Sequence, residues 1–377
     1  MYALSGPEAV QPTKVGSVSD TNDASRDLAT NRAVESDPAG ASAAASGGDG
    51  DGDRPASRGM LSRLRAFDEL GVLGVLALIV VVITLLHPEF LSQASIANIT
   101  QQAAFYGLIA LGMVFMLSMG EIDLSVGGNF AFSAMTAALL ARAGVNLWLC
   151  ALLTIIVGAL LGLLNAGLAN AFGLPLIIIT LGTLSVYRGA TLIVSEAQSV
   201  TGGDPLSTFF SLLGGSFLGL PALTYAFAIA TIVLIFVYRK TAFGFAVRAI
   251  GSNPQAARLS GYSIPRSRLT VSALLGGLCG LSGLLSFAFF GATDPAVGTG
   301  FELLVIAAAV IGGTALSGGR GSVLGAALGA LIVSVINGAL TIFGVSVNYA
   351  SFVTGVVIVG AVGADALLKR RAKTTNR

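Results

Sequence analysis

Histidine, cysteine and charged side chains are scarce in this chain, so each one lying among apolar residues is a candidate for chemistry. The single histidine, His87, precedes Pro88, and the two cysteines, Cys150 and Cys279, lie in apolar runs. One His and two distant Cys assemble neither a metal cluster nor a nucleophilic triad. His87 reads as interfacial packing and the cysteines as small apolar packers. Asp49-Gly50-Asp51-Gly52-Asp53 has the spacing of a calcium loop. Its sixth position is Arg54 and its twelfth is Met60, where such a loop needs Gly and Glu. A phosphate-binding loop needs Lys after Gly, and Lys14, Lys240, Lys369 and Lys373 follow Thr, Arg, Leu and Ala. No metal, nucleotide or catalytic centre is expected in this polypeptide, and no cofactor of its own.

A few charges remain. Arg188 lies six residues before the end of an apolar run, roughly 9 Å at about 1.5 Å per residue. That is far for its head group to reach water, so Arg188 is either a structural anchor or a pathway residue, with Glu196 as its expected partner. Glu302 follows Thr299 in the spacing of a capping box. Asp123, in Met119-Gly-Glu-Ile-Asp-Leu-Ser-Val-Gly127, is placed to cap a helix starting at Leu124. Asp204-Pro205 is placed to start a short helix running through Leu213.

The elements that position these groups follow from composition. Of 377 residues, 54% are hydrophobic and 11% charged, with 49 glycines and a mean hydropathy of +0.84. A soluble chain carries about 25% charged residues, so an ordinary water-soluble enzyme is excluded. Residues 1–60 are rich in Ser, Ala, Gly and Asp, carry a net charge of −4, and read as a disordered acidic tail without a secretory leader. Apolar runs then follow at about 70–87, 98–118, 126–143, 146–171, 176–194, 221–238, 269–290, 301–316, 323–341 and 349–368. A bilayer core about 30 Å thick needs about 20 apolar residues per helix. The expected fold is all-α, a polytopic membrane protein of about ten transmembrane helices.

Basic residues mark the cytoplasmic side. They precede the first run (Arg58, Arg63, Arg65), fill the loop 239–268 without any acid, and close the chain in the basic tail 369–377. Six runs separate the first two clusters and four the last two, so all three share one face and both termini are expected in the cytoplasm. The dense glycines, Gly276-Gly277, Gly312-Gly313 and Gly318-Gly319, suit close helix approach or sharp turns. Residues 181–189 and 313–321 echo each other faintly and suggest either an internal duplication or chance in a biased composition.

Within the loop 239–268, Asn253 can cap a helix with Pro254 in its first turn, and Gly261 suits a left-handed stop. A helix of about seven residues is unstable alone in water. Either the chain's own membrane face or a partner must hold it.

Several segments, in order and with matching spacing, resemble the permease subunits of ABC-type sugar importers of the ribose branch. They are the turn Glu121-Ile-Asp123-Leu-Ser125-Val-Gly127, then Ile179-Thr-Leu-Gly-Thr-Leu-Ser-Val-Tyr-Arg-Gly189, then Ala249-Ile-Gly-Ser-Asn-Pro-Gln-Ala-Ala-Arg-Leu-Ser-Gly261. Glu302, Ile311-Gly-Gly-Thr-Ala-Leu-Ser-Gly-Gly-Arg-Gly-Ser322 and Asn337-Gly338 complete the resemblance, which covers about 65–368. The acidic tail and Tyr262 depart from the family's pattern. The resemblance implies a permease domain over 65–368 that pairs with a second permease, expected to be identical. It also implies two ATP-binding subunits, or one of double length, which bind the ATP. An extracytoplasmic sugar-binding protein completes the assembly, in the inner membrane of a bacterium and without nucleic acid. The short helix would dock on the ATPase through Gly251, Asn253, Ala256, Ala257, Arg258 and Gly261. Asp204, Asp294 and Glu302 are candidates for binding-protein contact. A monosaccharide or polyol needs hydrogen-bonding partners along its path, for which Asn98, Gln101, Gln102, Asn129, Asn165, Asn337 and Arg188 are candidates. The rivals are an ion-coupled secondary transporter, which calls for intramembrane acids, and an intramembrane enzyme.

Overall fold

The structure, a computed structural model, describes residues 58–345 and isolated positions between 349 and 360, with side chains from Glu69 onward. The expected tails, apart from the backbone of 58–60, and most of the run 349–368 lie outside the described residues. The chain is all-α. Its long helices are α1 (Arg58–Leu86), α2 (Gln93–Ser118), α3 (Val126–Arg142), α4 (Leu147–Phe172), α5 (Leu176–Val194) and α6 (Ala222–Lys240). After two short helices, α7 (Ala242–Ser252) and α8 (Pro254–Leu259), come α9 (Ile264–Phe290), α10 (Phe301–Ile311) and α11 (Val323–Ile342). Seven of these, α1, α2, α4, α5, α6, α9 and α11, are long and apolar enough to cross a membrane. This is a multi-pass membrane architecture.

Burial sorts the helices. α2 is enclosed almost throughout, with Leu108, Ile109, Leu111, Met113, Phe115 and Met116 fully buried. α1 turns Leu70, Leu78, Leu85 and Leu86 outward, as a helix facing lipid does. α4 and α9 pack together through small residues. A Cβ on Gly158 would strike the Gly276 carbonyl, and one on Gly162 the Ser272 carbonyl, so the backbones meet where lipid offers no hydrophobic drive. Helix ends carry the expected signals: the Asn146 side chain caps α4, and Gly173 and Gly291 take left-handed conformations after α4 and α9.

The chain has two end faces. One carries α7, α8 and the turn 119–125. The other carries two-residue strands, β1 (Val200–Thr201) paired antiparallel with β4 (Ala292–Thr293), and β2 (Ser216–Phe217) with β3 (Leu220–Pro221).

Several expectations need correction. α10 stops at Ile311, and 312–322 is an irregular segment in which Gly313, Gly318 and Gly319 have positive φ. The proposed duplication therefore fails structurally, because 181–189 is helical and 313–321 is not. Asp204 opens a turn, followed by a π-helical turn over Phe210–Gly214, instead of a helix from 204 to 213. The loop 239–268 also holds the 11-residue α7, which the sequence reading passed over.

Candidate functional site

Two loci gather the sequence motifs. The first is the face of α7 and α8. Thr241 caps α7 by accepting from the Gly244 N–H (3.2 Å). Asn253 Oδ1 accepts from the N–H groups of Gln255 (3.1 Å) and Ala256 (3.0 Å), Pro254 fills the first turn, and Gly261 has φ +88°. A cap, a first-turn Pro and a left-handed stop make a six-residue rod. Its seat is the chain itself: Ala257 is buried in the main core, and a Cβ on Gly251 would overlap the Ser118 carbonyl. Ala257 and the Gly251 backbone thus pack against the chain itself. Gln255, Ala256, Arg258 and Leu259 face outward, and Leu259 is 92% exposed. The sequence reading missed Leu259. Its signal was a lone large apolar residue between Arg258 and Ser260 on a short polar helix.

Beside the rod, Glu121 and Arg268 form a closed ion pair. Arg268 Nε donates to both Glu121 oxygens (2.8 and 2.9 Å), and Nη1 donates to Asn170 Oδ1 (2.8 Å). Both side chains are mostly covered. This pair ties the turn 119–125 to the start of α9 and borders a cleft of about 560 Å³ that also takes in Arg258 and Pro265.

The turn itself is a buried polar knot. Asp123 does not cap Leu124. Its Oδ1 accepts from the Ser125 N–H (2.8 Å) and hydroxyl (2.6 Å), and its Oδ2 takes a long bond from Asn165 (3.4 Å). The Leu124 N–H goes to Thr180 Oγ1 (3.1 Å) on α5. Asn165 Nδ2 also donates to Ser125 Oγ (2.7 Å), and its Oδ1 accepts from the Tyr187 hydroxyl (2.8 Å). Burial pushes the Asp123 carboxyl up from its ordinary range, against the Ser125 and Asn165 hydrogen bonds. Asn165 is thereby committed to the knot. Asn129 is committed too, donating to the Gly158 carbonyl (3.0 Å) and accepting from Ser133 (3.1 Å).

The second locus is at mid-depth. Arg188 donates from Nη1 to the Val297 carbonyl (2.6 Å) and from Nη2 to the Gly298 carbonyl (2.5 Å), so its anchor is the segment 291–300, not Glu196. This segment dips inward, because α10 begins beside the middle of α2: the Phe301 ring meets Tyr106 at 6.0 Å and Phe130 at 4.9 Å. Glu302 therefore sits deep beside Arg188 instead of at the β1–β4 face. Thr299 donates to the Ala296 carbonyl and makes no capping box. Gly127 explains itself here: a Cβ would stand 2.5 Å from Glu302 Oε2, 2.9 Å from the Gly298 carbonyl and 3.2 Å from Arg188 Nη2.

The remaining candidates scatter. Asn98 and Gln102 are exposed, Gln101 is half-buried, and Asn337 Oδ1 is buried with no hydrogen-bond partner among the described residues. Asp204 and Asp294 lie at the β1–β4 face; Asp204 accepts from the Leu206 N–H (2.9 Å). Asp294 accepts from the Ala296 N–H and the Ser199 hydroxyl (both 2.8 Å), which hold its carboxyl below the usual range. His87 packs edge-on against Phe343 beside Glu89.

With this geometry in hand, comparison with known proteins decides the family. Residues 95–362 match the family described as the permease component of the branched-chain amino acid transport system. The chain belongs to this permease family. It is 37% identical over 306 residues to the D-allose transport system permease protein of Escherichia coli K12, covering 81% of this chain and 93% of that one. It is 37% identical over 298 residues to the ribose import permease protein of Bacillus subtilis (79% and 92% covered). It is 32% identical over 292 residues to the L-arabinose ABC transporter permease protein of Azospirillum brasilense (78% and 86%). No solved structure matches the chain. The family is one of transport permease components, so both loci belong to a transporter: a rod on one face of the permease and a charge pair inside it.

Proposed function

We propose that this permease carries a monosaccharide into a bacterial cell, driven by ATP that separate subunits bind and hydrolyse. The relatives' names, D-allose, ribose and L-arabinose permeases, support the substrate class. The observation carrying the coupling mechanism is the rod α8. Its back is locked to the core through Ala257, and its front presents Gln255, Ala256, Arg258 and Leu259 to a partner. Arg258 would pair with an acid of the ATPase and Leu259 would fill an apolar notch. The assembly would be two copies of the permease, two ATP-binding subunits or one of double length, and a soluble sugar-binding protein on the β1–β4 face near Asp204 and Asp294. The acid-free basic loop 239–268 supports a cytoplasmic α8 face in the inner membrane, with both termini on that side.

When the ATPases close, they would push or pull on α8. Ala257 and the Glu121–Arg268 pair pass that movement to α9 and to the turn before α3. The permease has no catalytic role of its own in this scheme. Vesicles holding the permease, its ATPase and its binding protein should accumulate one of D-allose, D-ribose or L-arabinose only with ATP. Leu259→Asp should lower that uptake more than tenfold. Accumulation by the permease alone, abolished by a protonophore, would overturn the proposal.

A further inference from the structure

The hairpin β2–β3 carries a leucine where the backbone resists one. Phe217 pairs with Leu220, so Leu218 and Gly219 form a two-residue loop. Both have positive φ, +49° for Leu218 and +82° for Gly219. Such a loop favours Asn, Asp or Gly at its first position, because a left-handed L-residue crowds its Cβ against the following carbonyl. Leu218 gains no burial in return: it is 85% exposed, and Phe217 beside it is exposed too. The loop is nevertheless firmly held. The Tyr225 hydroxyl of α6 donates to the Phe217 carbonyl (2.7 Å), and the Ala222 N–H donates to the Gly215 carbonyl (2.9 Å). A Cβ on Gly219 would overlap Gln93 at the start of α2. Lipid does not account for the exposed tip. The two-stranded sheet leaves each strand an outer edge that no other strand pairs. Such edges stay out of hydrocarbon, where unpaired N–H and C=O groups have no water. The same end face carries the exposed acids Glu89, Glu196, Asp204 and Asp294 against one exposed base, Arg142, among the described residues, so an anionic membrane surface is repelled from it. The turn at 204–207 adds Leu206, almost fully exposed. An apolar centre with a polar, charged surround is the anatomy of a protein–protein contact.

We propose that the β2–β3 tip is a docking knob for a soluble protein: Leu218 and Phe217, with Leu206, seat in an apolar notch whose rim is basic to match the acids of this face. In the sugar-permease reading, on which this inference rests, that protein is the sugar-binding protein, and the knob is its hold on the outer face. The left-handed leucine has a use there. A braced two-residue loop presents its side chain already ordered, so docking loses little further conformational freedom. Apolar seating holds the complex together, while the exposed acids steer the approach and set the orientation.

The test uses the complete complex in vesicles, with its binding protein loaded with whichever of D-allose, D-ribose or L-arabinose the wild type takes up. Leu218→Asn removes the apolar side chain and suits the left-handed backbone. It should weaken binding-protein affinity by about tenfold or more, the scale of one leucine's burial. The denaturation midpoint of the permease should meanwhile stay level or rise. Leu218→Met, which keeps the knob, should bind within about threefold of wild type. An environment-sensitive fluorophore on the Leu218→Cys variant should report water in the free complex and an apolar site once the binding protein is added. Three results would each overturn the docking knob: unchanged affinity in Leu218→Asn, a lowered denaturation midpoint in that variant, or a fluorophore already in lipid before the binding protein arrives. If the wild-type complex takes up none of the three sugars, the proposed function falls and takes this inference with it.

Discussion

Two acid–arginine pairings, Glu121 with Arg268 and Glu302 with Arg188, lie at different depths of the permease and are built in opposite ways. At the α7–α8 face, Arg268 grips Glu121 through both carboxylate oxygens and spends a further donor on Asn170. At mid-depth, Arg188 gives two of its five donors to backbone carbonyls, and Glu302 Oε2 has no hydrogen-bond partner among the described residues. The first pair is a fastener. It satisfies both partners and ties the turn 119–125 to the start of α9. The second is packed tightly against Gly127 and the dipped segment 291–300, with no closed ion pair among the described residues. A charge near the bilayer centre is costly, so the mid-depth pairing costs more to bury than the one at the α7–α8 face.

The largest predicted effect breaks the fastener. Arg268→Leu strands Glu121 in a covered site and should lower stability by about 3 kcal/mol, read by denaturant titration in detergent. Exchanging the two residues, Glu121→Arg with Arg268→Glu, should recover part of that loss. By contrast, Glu302→Leu removes the countercharge beside Arg188 but breaks no hydrogen bond among the described residues, and should cost less, about 1–2 kcal/mol. Equal losses at the two sites would erase the distinction. Next comes the rod: Asn253→Ala removes its cap and should cost about 1 kcal/mol, seen as faster amide exchange over 254–259.

The buried knot gives a pH signature. Asp123 is more readily protonated in the folded protein than in the unfolded chain, because burial disfavours its charge. Folded permease therefore binds the extra proton, and its stability falls as pH rises from about 3.9, the ordinary Asp value, through the raised native value. Asp123→Asn should flatten that part of the pH–stability curve. The smallest effect is at Leu259, which stands almost fully exposed: Leu259→Asp should leave permease stability within about 0.5 kcal/mol and weaken only ATPase binding.

Sequence patterning located the helices well where apolar runs are long and capped, as for α4 between Asn146 and Gly173. It located α8 for the same reason, since Asn253, Pro254 and Gly261 are local signals. It overran α10, because Gly312 to Leu316 remain apolar enough to prolong the run while their glycines turn the backbone. It misassigned the functional charges for a different reason. Which acid meets Arg188 depends on how far the segment 291–300 dips, and no spacing in the sequence records that depth. Likewise Asn129 and Asn165 are candidates for the path in the sequence, and only helix packing brings them Gly158 and Tyr187 as partners. Ala257 and Leu259 are two residues apart, and only the docked rod shows that one faces inward and the other outward.

The central claim is that α8 is the handle by which another subunit drives this permease. Leu259→Cys tests it most directly, since Cys150 and Cys279 are buried and free and leave little background. A membrane-impermeant maleimide should label position 259 only from the cytoplasmic side, and adding the ATP-binding subunit should protect it. Labelling from outside the cell, or unchanged labelling in the assembled complex, would contradict the account.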